Sequence, residues 1–166
     1  MLKAYTKFLD LIEKVQRAIL AISVPVMVFI MLYQVVLRYV FSNSNSWSEE
    51  LTRYLFIFNV MIASAIAVRR NSHLQIDILI NLFSPKVKNI FTIFATLAGI
   101  VFLALLFTYC LALCKQAANN ISPGVGISMA IPYASMPVGI VLMILTSVEV
   151  ILKNIEELRG REVSGK

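Results

Sequence analysis

The residues able to do chemistry are few, and most sit at the two ends of one apolar run. Before it stand Trp47, Glu49, Glu50 and Arg53; after it stand Arg69, Arg70 and His73. Ser46 and Glu49 have the spacing of a capping box, in which a hydroxyl and a carboxylate satisfy amides that a helix start leaves bare. Glu49 and Arg53 are four apart with the carboxylate first, the favourable order for an ion pair on one helix face. Trp47 supplies an interfacial ring. Arg69 and Arg70 place two cations in the last turn, where carbonyls are unpaired and where cytoplasmic flanks of membrane spans collect positive charge.

Catalytic readings find little support. His73 is the only histidine, which excludes a four-helix haem protein with paired axial histidines. Cys110 and Cys114, at i and i+4 in an apolar stretch, read as small buried side chains and not as half of a zinc site. No nucleophile has an evident base and no Gly-rich loop follows a strand, so neither an enzyme nor a cofactor is expected.

The elements that must position these residues follow from composition. The 166 residues are 59% hydrophobic and 14% charged, with a mean hydropathy of +0.82, too apolar for a soluble core to absorb. A hydrocarbon layer about 30 Å thick takes roughly 20 residues of helix, so the chain has length for several spans and little else. The expected fold is an all-α membrane protein with four transmembrane helices, both termini cytoplasmic, and amphipathic surface helices at the N-terminus and between the second and third spans. Residues 1–17 carry Tyr5, Phe8, Leu9, Ile12 and Val15 at helical spacing among charges, the pattern of a surface helix. Spans are expected at 18–40, 47–70, 87–115 and 129–152, a second surface helix at 74–84, and a charged, solvated tail at 153–166. Pro25, Pro132 and Pro137 each remove a backbone donor and predict helix kinks.

Charge supplies the orientation. With both ends inside, twelve of the fifteen lysines and arginines fall on the inner side, against Arg38, Arg53 and Lys115 outside. The net charge of +6 is therefore a topology signal and not a nucleic-acid footprint. Arg69, Arg70 and His73 are expected to orient the inner loop and to contact membrane lipids. No ionisable group falls at mid-depth, where an ion relay would need one. Gln34, Asn59, Ser64, Thr92, Thr96, Thr108, Ser135 and Thr146 are the polar groups inside the spans, suited to joining helices.

The run from Trp47 to Tyr54, then Ala65 to Arg70, His73 and Asp77, resembles the small membrane subunit of tripartite ATP-independent periplasmic (TRAP) transporters. Ile131-Pro132-Tyr133 and Met136-Pro137-Val138-Gly139 resemble that subunit's fourth span, although Phe58 and Ala63 stand where Trp and Gly are common. The resemblance implies a non-catalytic subunit of a sodium-coupled secondary transporter for organic acids. Its partners would be a large multi-span membrane subunit, whose scaffold it enlarges, and a periplasmic substrate-binding protein. Trp47, Glu49, Glu50 and Arg53 would then organise the outer face near those partners. The alternatives are a self-sufficient homodimeric four-helix transporter, which needs an embedded ionisable residue, and an assembly subunit of another membrane complex.

Overall fold

The computed structural model describes residues 2–43, 45–71 and 85–164. These form α1 (Leu2–Val40), α2 (Ser46–Asn71), α3 (Pro85–Ala117), a single turn α4 (Ala130–Tyr133) and α5 (Ser135–Ser164). Among the described residues four stretches are long and apolar enough to cross a membrane: Ala4–Val40, Ser46–Arg70, Asn89–Ala117 and Ala130–Leu158. The expected helix at 74–84, and His73 with it, lie outside the described residues.

Three boundaries differ from the sequence expectation, each for a backbone reason. Residues 1–17 and 18–40 are read from sequence as two helices, but α1 runs unbroken from Leu2 to Val40 and through Pro25. Nothing between Arg17 and Ala18 interrupts the helix; only the polarity of its exposed face changes there. The fourth span breaks at Ala134, between Pro132 and Pro137. Pro137 has no N–H to offer the Tyr133 carbonyl, so the regular ladder lapses there although Ala134 keeps helical dihedrals (φ −61°, ψ −20°). Finally, α5 continues to Ser164, where a solvated tail is expected from residue 153. Asn154 is buried there and Asn89 Nδ2 donates to Glu157 Oε2 at 3.2 Å, tying the extension to α3.

The long helices stand in an open row, α1–α2–α5–α3, each packed on the next. Pairings along the row fix the register. Ser23 meets Asn59 and Tyr33 meets Trp47, so α1 and α2 are antiparallel. Met61 meets Gly139 and Arg69 meets Glu149, so α2 and α5 are parallel; Asn89 against Glu157 makes α3 and α5 antiparallel. Parallel neighbours need a crossover, which α3 provides from the far side of α5.

Burial follows position in the row. The most apolar window of α5 is 44% buried and that of α1 is 0% buried, because α5 has a neighbour on each side while α1 offers one narrow stripe. Gly139 lets the central pair close up: a Cβ there would lie 2.7 Å from Met61 Cβ and 3.2 Å from Met61 O. Small residues at such crossings bring backbones together where apolar burial alone gives no drive, since lipid is as apolar as the helices. Exposed side chains such as Phe29, Leu32, Phe94, Leu97, Phe102 and Leu105 suit that solvent.

Candidate functional site

The marked ends of α2 become two polar assemblies. At the first, α1 stops with Ser42 in the left-handed region (φ 50°) and Asn43 N donating back to Leu37 O at 3.1 Å, an ending that turns the chain toward α2. Tyr33 and Trp47 then face one another with ring centroids 6.2 Å apart and planes tilted by 38°. Glu49 and Arg53 form the expected i,i+4 pair at 3.0 Å, with both side chains more than half exposed. Glu50 points the other way. Its Oε2 accepts from Ser122 Oγ and from Gly124 N, the latter at 3.0 Å.

The receiving loop is built for that carboxylate. Ser122 N donates to Ile127 O at 2.8 Å, Gly126 N to Ser122 O at 2.9 Å and Met129 N to Asn120 O at 2.9 Å, folding 120–129 back on itself. Gly126 takes a positive φ of 74°, a conformation glycine adopts without a Cβ clash. A Cβ on Gly124 would lie 3.0 Å from Glu50 Cδ and from Ser46 C, so the loop backbone sits directly on the start of α2.

At the other end Arg69 is the hub. Its Nε and Nη2 donate to Glu149 Oε2 and Oε1 at 2.6 and 3.0 Å, a bidentate fork. Its Nη1 reaches Glu13 Oε2 at 2.5 Å, and Nη2 also reaches Asp10 Oδ1 at 2.7 Å. The side chain of Arg69 is 8% exposed and that of Glu149 0%, so this pair is inside the protein, with the rest of the network opening outward. Arg70 Nε donates to Glu13 Oε1 at 3.1 Å, Arg17 reaches the same oxygen, and Lys153 Nζ lies 2.8 Å from Glu149 Oε1. Tyr5 OH, donating to Leu145 O at 2.8 Å, holds the beginning of α1 to α5 at the same end.

The sequence expectation of lipid contact thus does not describe the Arg69 side chain, which protein carboxylates enclose, whereas Arg70 remains 57% exposed. Sequence reasoning missed Asp10, Glu13 and Glu149 as its partners. The signal available was depth: Glu149 ends the fourth apolar run at the level where Arg69 ends the second. Between the two ends the polar contacts are uncharged. Ser23 Oγ donates to Asn59 Oδ1, and Asn59 Nδ2 lies 3.9 Å from Met27 Sδ. Thr96 and Thr146 hydroxyls return to carbonyls of their own helices. Among the described residues no group of three or more His, Cys, Asp or Glu is placed to hold a metal ion.

Four apolar helices with their ionic contacts gathered beyond or at the ends of the apolar stretches define a multi-pass membrane protein. The family described as tripartite ATP-independent periplasmic transporters, DctQ component, matches residues 27–157, and the chain belongs to that family as a small TRAP permease subunit. It is 26% identical over 162 residues to the sialic acid TRAP transporter small permease protein SiaQ of Vibrio cholerae, covering 96% of this chain and 90% of that one. It is 31% identical over 120 residues to the sialic acid TRAP transporter permease protein SiaT of Haemophilus influenzae, covering 72% of this chain. The match spans only 20% of SiaT. Likewise, a 25% identical match to the isethionate TRAP transporter permease protein DctMQ of Oleidesulfovibrio alaskensis covers 77% of this chain and 21% of that protein.

Proposed function

We propose that this chain is a non-catalytic scaffold subunit that packs against a large multi-span TRAP membrane subunit, in a sodium-coupled transporter that takes up an organic acid through the inner membrane. The observation that carries this reading is the open row of helices. A row encloses no path, and an ion or substrate route needs polar or ionisable groups around a protected interior. Here, among the described residues, Ser23 and Asn59 are spent on joining α1 to α2, and the Ser64, Thr96 and Thr108 hydroxyls return to carbonyls of their own helices. The SiaT and DctMQ matches support a large partner, because the equivalent segment is about a fifth of each of those permease proteins. The acids in the relatives' names support an organic anion as the transported class.

On this reading Glu49 and Arg53 present an exposed charge pair, with Trp47 beside it, to the large subunit or to a periplasmic substrate-binding protein on the outer face. Glu50 serves the same face indirectly, by fixing the 120–129 loop. Purification of the tagged chain from its native membrane in mild detergent should recover a large multi-span permease at comparable amount, and Arg53→Ala should lower uptake while insertion is unchanged. Recovery of a homodimer that transports by itself after reconstitution would overturn the proposal.

A further inference from the structure

Arg17 and Arg70 come from different helices and meet on one atom. Arg17 Nε donates to Glu13 Oε1 at 3.1 Å, and Arg70 Nε donates to that oxygen at 3.1 Å. Glu13 is held from within by Arg69 and is 10% exposed at its side chain, while Arg17 and Arg70 are 53% and 57% exposed. Two half-open guanidiniums are therefore held side by side above a carboxylate that is already neutralised. The charge balance among the described residues points outward. Asp10, Glu13 and Glu149 face Arg17, Arg69, Arg70 and Lys153, leaving one positive charge over among them, and exposed Lys14 stands three residues before Arg17. Asp10, the exposed carboxylate of the cluster, is taken up by Arg69.

Beneath this pair both helices present small exposed side chains toward the membrane. Arg17, Ala21 and Val24 follow one another along α1 at i, i+4 and i+7; Arg70, Ala67 and Ala63 do so along α2 at i, i−3 and i−7. Val60 and Phe56 continue the second strip. We propose that Arg17 and Arg70 clamp the phosphate of an anionic phospholipid whose acyl chains lie along Ala21, Val24, Ala63 and Ala67. Paired guanidiniums suit a phosphate, because their planar forks offer parallel N–H donors to its oxygens. An apolar strip directly below a cationic pair suits a lipid and not a soluble phosphate. The inference needs only that the helices span a bilayer; it stands or falls apart from the scaffold reading.

The test is native mass spectrometry of the detergent-purified full chain with phosphatidylglycerol or phosphatidylcholine of matched chains. Phosphatidylglycerol should be retained in preference by about thirtyfold, the scale expected for about two basic residues at an anionic surface. The double variant Arg17→Gln, Arg70→Gln should lose that preference, and Lys115→Gln, at the opposite end of the helices, should keep it. Equal retention of both lipids, or a preference untouched by the double variant, overturns the proposal. Displacement of phosphatidylglycerol by millimolar inorganic phosphate would show that the site reads phosphate without chains, and would also overturn it. Photoreactive phosphatidylglycerol on the unaltered chain covers poor folding of the variant. Label in 17–24 or 63–70 supports the site, and label confined to α3 or α5 refutes it. Loss of that label when a large permease is bound would show that protein covers this face, which overturns a resident lipid.

Discussion

Arg69 ties three helices together. Its guanidinium ties α2 to α1 through Asp10 and Glu13 and to α5 through Glu149, and it is nearly enclosed. Removing one partner of a buried pair leaves the other charge without compensation, a loss of about 3–5 kcal/mol. Here Lys153 still faces Glu149, and Arg17 and Arg70 still face Glu13, so Arg69→Ala should fall near the lower end, about 3 kcal/mol. Arg69→Lys should be intermediate, since an ammonium keeps the charge but cannot fork onto Glu149 while also reaching Glu13. Thermal unfolding of the detergent-purified chain, followed by size exclusion, reads both; a midpoint unchanged in Arg69→Ala would show that the network adds nothing to stability. Such a hub was only half legible in the sequence. Two arginines after an apolar run announce a boundary, but nothing in their spacing says which one turns inward. That choice is made by helix phase: Arg70 continues the exposed strip of Ala63 and Ala67, and Arg69 is one position around the helix on the protein side.

Helix by helix, the spans were readable because length and apolarity act on each segment separately, while their packing order was not. The row depends on which stripe of each helix is small or polar. Gly139 marks the α2–α5 contact and Asn59 the α1–α2 contact, yet in the sequence they look no different from Gly99 or Gln34. Space around the two glycines makes opposite predictions. Gly139→Leu would force its Cβ to within 2.7 Å of Met61 Cβ, and overpacking of that kind costs about 1–3 kcal/mol. Gly99, where a Cβ would meet nothing within 4 Å, should gain up to about 1 kcal/mol on replacement by Ala in the middle of α3. Melting of the two variants beside the parent chain checks the pair: destabilisation by both, or by neither, would mean that the α2–α5 approach is not what Gly139 serves. The boundary at residue 153 was obscured for a different reason. A helix leaving the membrane loses its apolar run but not its hydrogen bonds, and the buried Asn154 keeps α5 packed where composition turns polar.

At the scale of the whole molecule, orientation decides what each polar assembly can meet. The Glu50 loop clamp and the Arg69 hub lie at opposite ends of α2, so one faces the periplasm and the other the cytoplasm. We infer the orientation from the bias of lysine and arginine, which would put the hub inside because cationic flanks are held on the cytoplasmic side during insertion. On that orientation the four spans among the described residues would bring both ends of the chain to the same side. The same orientation would leave the Glu49–Arg53 pair facing the compartment in which a soluble binding protein would travel. Single cysteines in a background of Cys110→Ala and Cys114→Ala make this measurable. Asn43→Cys and Asn120→Cys, one in each outer connection, should react with a membrane-impermeant maleimide on cells whose outer membrane is permeabilised. Gly160→Cys, in the extension of α5, should react only after the inner membrane is opened. Labelling of Gly160→Cys before lysis, with Asn43→Cys protected, would invert the chain and bring the Arg69 end, not the Trp47 end, to the face that a periplasmic partner can reach.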